Sequence, residues 1–213
     1  MFWLELAGWA GSALVILSLT QARVLRFRRL NLAGALLATA YNGVLSIWPF
    51  AAMNAVIAGI DVYWLFRLHG ERHDAATYEV VQVASADSYL QHVLGVHLPE
   101  VVGFQPGFSW DPDAPDRSVF LVLRRDETVG LVVVHDLGGG LGQIELDFVT
   151  RRFRDFTPAE FVYRRGGVLA ERGFKRLVAP PNMVSPQTYY PKVGFELDAG
   201  RWVRDVTVPA TSA

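Results

Sequence analysis

The residues best equipped for chemistry lie in the second half of the chain. Between 143 and 150, Ile144, Leu146 and Phe148 alternate with Glu145, Asp147 and Val149. That period of two predicts a half-buried strand carrying both carboxylates on one face. Carboxylates so placed are residue types suited to proton transfer. Arg151, Arg152 and Arg154 follow at once, and guanidinium groups contact anions through their side chains. His69 and His73 stand four apart beside Glu71 and Arg72, but with no third ligand they make no metal site. None of the 213 residues is cysteine, which excludes a disulfide framework, a thiolate nucleophile and a Cys-ligated metal. Gly138-Gly139-Gly140-Leu141-Gly142 precedes a strand, not a helix, and therefore reads as a turn and not a phosphate cradle.

The elements that must hold these residues can be drawn from periodicity and caps. Residues 78–84 are β-branched rich and read as a strand, and Ser85-Ala86-Asp87 caps a helix to about 96. A loop with Pro106, Pro112 and Pro115 follows. Strands at 118–124 and 129–135 flank a hairpin turn, and the carboxylate strand comes next. Thr157 reads as an N-cap with Pro158 at the first helical position and Glu160 completing a capping box. Phe156 and Phe161 are placed for a hydrophobic staple, and the helix should run to about 172 and stop at Gly173. A strand at 175–179, a short helix at 185–193 and a terminal hairpin at 195–206 complete the order β-α-β-β-β-α-β-α-β-β.

The first third is a different kind of chain. Overall the protein is 51% hydrophobic and 19% charged with a net charge of −1, against about 25% charged in typical soluble domains. A globally cationic nucleic-acid binder is thereby excluded. Residues 1–72 carry Arg23, Arg26, Arg28, Arg29, Arg67 and Arg72 against three acids, a net of +3, and residues 73–213 carry −4. Residues 30–60 hold no charge at all. Three apolar stretches, 2–20, 30–48 and 50–66, match the length that crosses a bilayer core of about 30 Å. Trp48-Pro49 divides the last two and predicts a turn at a membrane surface. The arginines between the first two stretches and after the third place those segments in the cytoplasm and the N-terminus outside. A signal peptide would carry its basic residues before the apolar run, not after it. Gly34, Ala38 and Asn42, and Ala51, Ala55 and Gly59, form small-residue faces for packing of the helices or a homo-oligomer. Asp61 is expected to snorkel to the interface or to pair with an arginine, a solute path being the alternative.

Gly8-Trp9, the run from Arg26 to Gly34, and Trp48-Pro49 with Asn54 resemble the small three-helix inner-membrane domains of the YgjV kind. In the second half, Glu171-Arg172-Gly173-Phe174, Pro181-Asn182 and Tyr189-Tyr190-Pro191-Lys192-Val193-Gly194-Phe195 are similar to the ending of the GNAT acyltransferase fold, whose element order is the one above. That resemblance implies an acetyl-CoA or other acyl-CoA cofactor. It implies Tyr190 as the acid that protonates the departing thiolate, and Asn182 with Val149, Arg151 and Arg154 near the cofactor. Glu145 or Asp147 then takes the role of general base for an amine. Where the family places a glycine-rich pyrophosphate loop, this chain has no glycine from Arg151 to Glu160, so an anion there would meet side chains and not a backbone nest.

The expected architecture is thus three transmembrane helices over 1–72, followed at 73–213 by a cytoplasmic α/β GNAT-like domain with a mixed, mostly antiparallel sheet. The expected localisation is a multi-pass inner-membrane protein, in contact with the lipid bilayer and not with nucleic acid. Its activity is read as N-acyl transfer to an amine. The alternative is a degenerate GNAT-like module attached to helices that oligomerise, with small-solute transport as a further outcome.

Overall fold

The computed structural model describes residues 2–71, 77–156, 160–164, 167–179 and 186–206. The chain divides into two compact units: Met1–Asp74 with Arg151–Phe156, and Ala75–Thr150 with Thr157–Ala213.

In the first unit, three helices follow one another: α1 (Phe2–Leu19), α2 (Val24–Val44) and α3 (Trp48–Glu71). Among the described residues two helices, Phe2–Leu19 and Trp48–Gly70, are long and apolar enough to cross a membrane, not three. The difference lies in α2, which starts at Val24 and takes Arg26, Arg28 and Arg29 into its first turns. Pro49 likewise sits inside the first turn of α3, where its missing N–H costs nothing. The chain reverses instead at Ser46, whose φ of 59° is left-handed. Only 11% of the α1 span and 17% of the α3 span are buried, so neither is a core helix of this unit. Trp3, Trp9, Trp48, Val56 and Phe66 are all exposed.

Small residues set the packing of α1 on α2. A Cβ on Gly34 would lie 2.7 Å from Val15 Cγ2 and 2.8 Å from the Gly11 carbonyl, so this face meets α1. Within the small-residue face of α3, Ala51 is buried, and Ala55 and Gly59 are exposed. Ala58, Asp61 and Leu68 join Ala51 on the buried side. Asp61 accepts from Arg28 at 2.8 Å and from Asn31 at 2.6 Å, and Ser18 of α1 donates to Asn31 Oδ1 at 3.3 Å. One polar chain therefore ties all three helices. Asn42 and Asn54 return their amides to the carbonyls four residues earlier, which satisfies a polar group without a second helix.

The second unit is a seven-stranded sheet in the order β1-β2-β3-β4-β5-β7-β6. The strands are β1 (Glu79–Val83), β2 (Arg117–Arg124), β3 (Glu127–Asp136), β4 (Leu141–Val149), β5 (Arg176–Val178), β6 (Glu196–Asp198) and β7 (Arg201–Asp205). Every pairing is antiparallel except β4 with β5, so the sheet is mixed and mostly antiparallel. Helix α4 (Ser88–Phe104) covers one face. Asp87 caps it through Tyr89 N–H at 2.9 Å and Leu90 N–H at 3.1 Å. It runs two turns past the expected end and contains Pro99, because Leu90, Leu94 and Val101 continue its buried face against Val119, Leu121, Leu131 and Val133. Burial outweighs the lost hydrogen bond.

Of the long helix expected after β4, the described residues show α5 (Glu160–Arg164) and α6 (Gly167–Glu171), and residues 165–166 between them lie outside the described residues. Thr157 and Pro158, the expected cap, lie outside the described residues. Phe161 stacks on Tyr78 with centroids 4.6 Å apart, and Phe156 lies 6.1 Å from Phe153. A four-residue helix, α7 (Pro186–Tyr189), leads into a 3-10 turn at Tyr190–Val193.

Candidate functional site

The carboxylate strand is not the simple alternation its sequence suggests. Val133 pairs with Leu146 and Val134 pairs with Ile144, so Glu145 is an extra residue that bulges from β4. A bulge resets the parity of everything beyond it. Leu146 and Phe148 share the α4-side core with Leu131 and Val133. Asp147 pairs with Val132 and Ile144 with Val134, which belong to the opposite face. The two carboxylates expected on one face are therefore on opposite faces of the sheet.

Glu145 is occupied by its surroundings. Its carboxylate lies 2.6 Å from Arg117 Nε and 3.5 Å from His135 Nδ1, and its carbonyl accepts from the Gln105 side chain. These contacts fasten the bulge to β2, β3 and the end of α4.

Asp147 is 3% exposed. Its Oδ2 accepts from the Tyr163 hydroxyl of α5 and from the Tyr189 hydroxyl of α7, both at 2.7 Å. Its Oδ1 has no hydrogen-bond partner among the described residues. Burial pushes the carboxyl up to about 6, against the lowering effect of the two phenol hydrogen bonds. Burial, and then the Asp147 charge, push Tyr163 and Tyr189 well above the ordinary phenol value. Neither tyrosine stood out in the sequence. The only signal was chemical type, since Tyr163 sits among apolar helix residues and Tyr189 is overshadowed by the Tyr190 spacing.

Tyr190 lies in an aromatic cluster, with ring centroids 5.6 Å from Tyr189, 5.1 Å from Phe195 and 5.9 Å from Trp202. It is fully buried, and its hydroxyl has no hydrogen-bond partner among the described residues. Burial and the Asp147 charge raise its pKa, which keeps the phenol protonated. Gly194 follows in a left-handed conformation, φ 80°, so the chain turns back and lets Phe195 pack on Tyr190. Arg204 ties this end together, donating to the Val193 carbonyl and, at 3.2 Å, to the Tyr163 carbonyl.

Only Leu141–Gln143 of β4 pairs with Arg176–Val178 of β5. From Ile144 to Val149 the edge of β4 toward β5 has no strand partner among the described residues. Asp147 and Val149 stand on that stretch. Of the other residues expected near a cofactor, Arg151 and Arg154 belong to the compact unit of the helices, and Asn182 lies outside the described residues. In that segment Asp155 lies 3.3 Å from Arg23, and Phe153 and Phe156 are buried. Among the described residues no cluster of three or more His, Cys, Asp or Glu could hold a metal ion.

No protein-family model matches the sequence, and comparison with curated proteins gives no match. Solved structures do show likeness. A protein from Lactobacillus plantarum assigned as an N-acetyltransferase aligns with a TM-score of 0.49 at 11% identity, over 62% of this chain and 99% of its own. An acetyltransferase of the GNAT family from Staphylococcus aureus Mu50 aligns with a TM-score of 0.45 at 14% identity, over 61% and 100%. N-acetylglutamate synthase from Neisseria gonorrhoeae, solved with coenzyme A and N-acetyl-glutamate, aligns at 0.46 and 12%, over 61% of this chain and 35% of its own.

Proposed function

We propose that this chain is a membrane-anchored N-acyltransferase that moves an acyl group from acyl-CoA to a small or membrane-proximal amine. The observation that carries the reading is a pair of buried polar atoms without hydrogen-bond partners among the described residues, Asp147 Oδ1 and Tyr190 Oη, with Asp147 on the stretch of β4 beyond its pairing with β5. Buried donors and acceptors are almost always satisfied, so two such groups close to one another mark a place where a ligand belongs. The donor set fits acyl-CoA: past its pairing with β5, the edge of β4 through Val149 offers backbone groups to an extended chain. When bound, acyl-CoA supplies an electrophilic thioester.

Asp147 is the base in preference to Glu145, whose oxygens are engaged by Arg117 and His135. Above about pH 6 Asp147 is ionised, and its Oδ1 accepts a proton from the amine. Tyr163 and Tyr189 hold Oδ2 and so aim Oδ1. Tyr190 gives its phenol proton to the departing sulfur. The first unit serves as the anchor.

A second reading, a GNAT-like fold kept as a binding or regulatory module, is favoured by one observation. The segment that would replace the phosphate loop is grouped with the helices, its Asp155 paired with Arg23 and two of its phenylalanines buried.

Acetyl-CoA titration of the full chain in detergent separates the two. At about 100 times its dissociation constant the cofactor adds about 2.7 kcal/mol of apparent stability, read as a rise in melting temperature. No rise at millimolar acetyl-CoA overturns the acyltransferase reading and favours the module. Where binding occurs, Tyr190→Phe should leave the melting temperature nearly unchanged, because the lost hydroxyl has no protein partner, and should slow transfer tenfold or more.

A further inference from the structure

A groove of about 310 Å³ runs between α2 and α3. Leu25, Arg29 and Leu32 line it from α2, at positions i, i+4 and i+7, and Val62, Leu65, Phe66 and His69 line it from α3, at i, i+3, i+4 and i+7. The two helices are consecutive and antiparallel, so Leu32 and Val62 mark one end and Leu25 and His69 the other. The wall is apolar except for Arg29 and His69, which are both exposed. Two acids of this unit are already engaged: Asp61 by Arg28 and Asn31, and Asp155 by Arg23. Arg29 forms no ion pair among the described residues.

An apolar slot with a basic rim suits a ligand with a hydrocarbon tail and an anionic head. Lipid alone would suffice for the apolar wall, but a guanidinium facing hydrocarbon would be costly without an anion or water beside it. Basic pockets between transmembrane helices on one side of the bilayer hold anionic headgroups. We propose that this groove seats one acyl chain of an anionic phospholipid from the bilayer, with its phosphate held by Arg29 and with His69 as a second polar contact. The proposal rests on the membrane-anchor part of the reading above and not on the acyltransferase chemistry.

The test uses the full chain with phospholipid vesicles. Flotation of the chain with neutral phosphatidylcholine vesicles reports insertion, and a labelled phosphatidylglycerol probe competed by phosphatidylcholine in detergent reports the site. The expected result is flotation with the phosphatidylcholine vesicles and, in detergent, retention of phosphatidylglycerol over phosphatidylcholine. Arg29→Gln should lower that retention about fivefold, and Leu32→Trp, which fills the slot, should abolish it. Arg67→Gln, outside the groove lining, should leave it unchanged. Insertion with equal retention of both lipids, or undiminished retention in Arg29→Gln and Leu32→Trp, overturns the site while sparing the anchor. A chain that fails to float with any vesicle overturns the anchor and the site together.

Discussion

Asp147 binds its proton more tightly in the folded chain than in the unfolded one. Burial raises its carboxyl from 3.8 to about 6, so the folded state holds a proton at pH values where the unfolded state has already released it. The stability this contributes is full below about pH 4 and is lost as pH rises through 6. A rise of that size amounts to about 3 kcal/mol. Asp147→Asn keeps an acceptor for Tyr163 and Tyr189 but cannot titrate. Between pH 4 and 7 wild type should therefore lose about 3 kcal/mol relative to the variant in denaturant melts. Parallel profiles for the two proteins would show that the carboxyl is not raised. The same residue illustrates what alternation can and cannot tell. Its chemical type was legible in the sequence, as was the neighbouring Glu145. Their division between two faces was not, because it depends on which residue of β3 each one opposes.

At the scale of elements, the bulge at Glu145 and the narrow join of β4 to β5 shape the candidate site. A Cβ on Gly142 would lie 2.7 Å from Val134 Cγ1, 2.9 Å from Phe174 Cδ1 and 3.0 Å from Leu177 Cδ2. Gly142→Val should overpack the join and destabilise the chain by about 1–3 kcal/mol. Gly95→Ala in α4 is the contrast: a Cβ there meets nothing within 4 Å, and the exchange should stabilise the chain by about 0.5–1 kcal/mol. Urea midpoints shifting in opposite directions would check both, and an unchanged midpoint for Gly142→Val would show that the join has slack. Most elements were readable from period and caps. The exceptions each have a tertiary cause. Helix α4 outruns Pro99 because its apolar face stays buried, and α2 reaches back through its arginines because Arg28 has Asp61 as a partner on α3.

For the whole molecule, the exposed apolar surface of the first unit demands a cover. Trp3 and Trp9 are 78% and 79% exposed, and Phe66 is 78% exposed, far beyond the scattered apolar residues of a soluble surface. Lipid supplies that cover in the reading proposed above. The full chain should then stay with the membrane fraction through an alkaline wash and leave it only with detergent. Protease should cut the second unit in inside-out vesicles and spare it in intact cells. Release by alkali would remove the anchor, and the reverse cleavage pattern would invert the orientation.

By itself the sequence determined the division between an oily, basic first third and an acidic α/β remainder, because charge and hydrophobic period are properties of composition along the chain. It also determined the strand and helix order of the sheet, and for Asp61 it narrowed the outcomes to snorkelling, an arginine partner or a solute path, from which the Arg28 contact selects the second. Only the tertiary structure decided that Tyr163 and Tyr189 share Asp147, that Tyr190 sits in an aromatic cluster, and that Arg151–Phe156 groups with the helices. Those facts depend on contacts between residues far apart in the chain, and a one-residue bulge, invisible to any local period, decides which side chains meet.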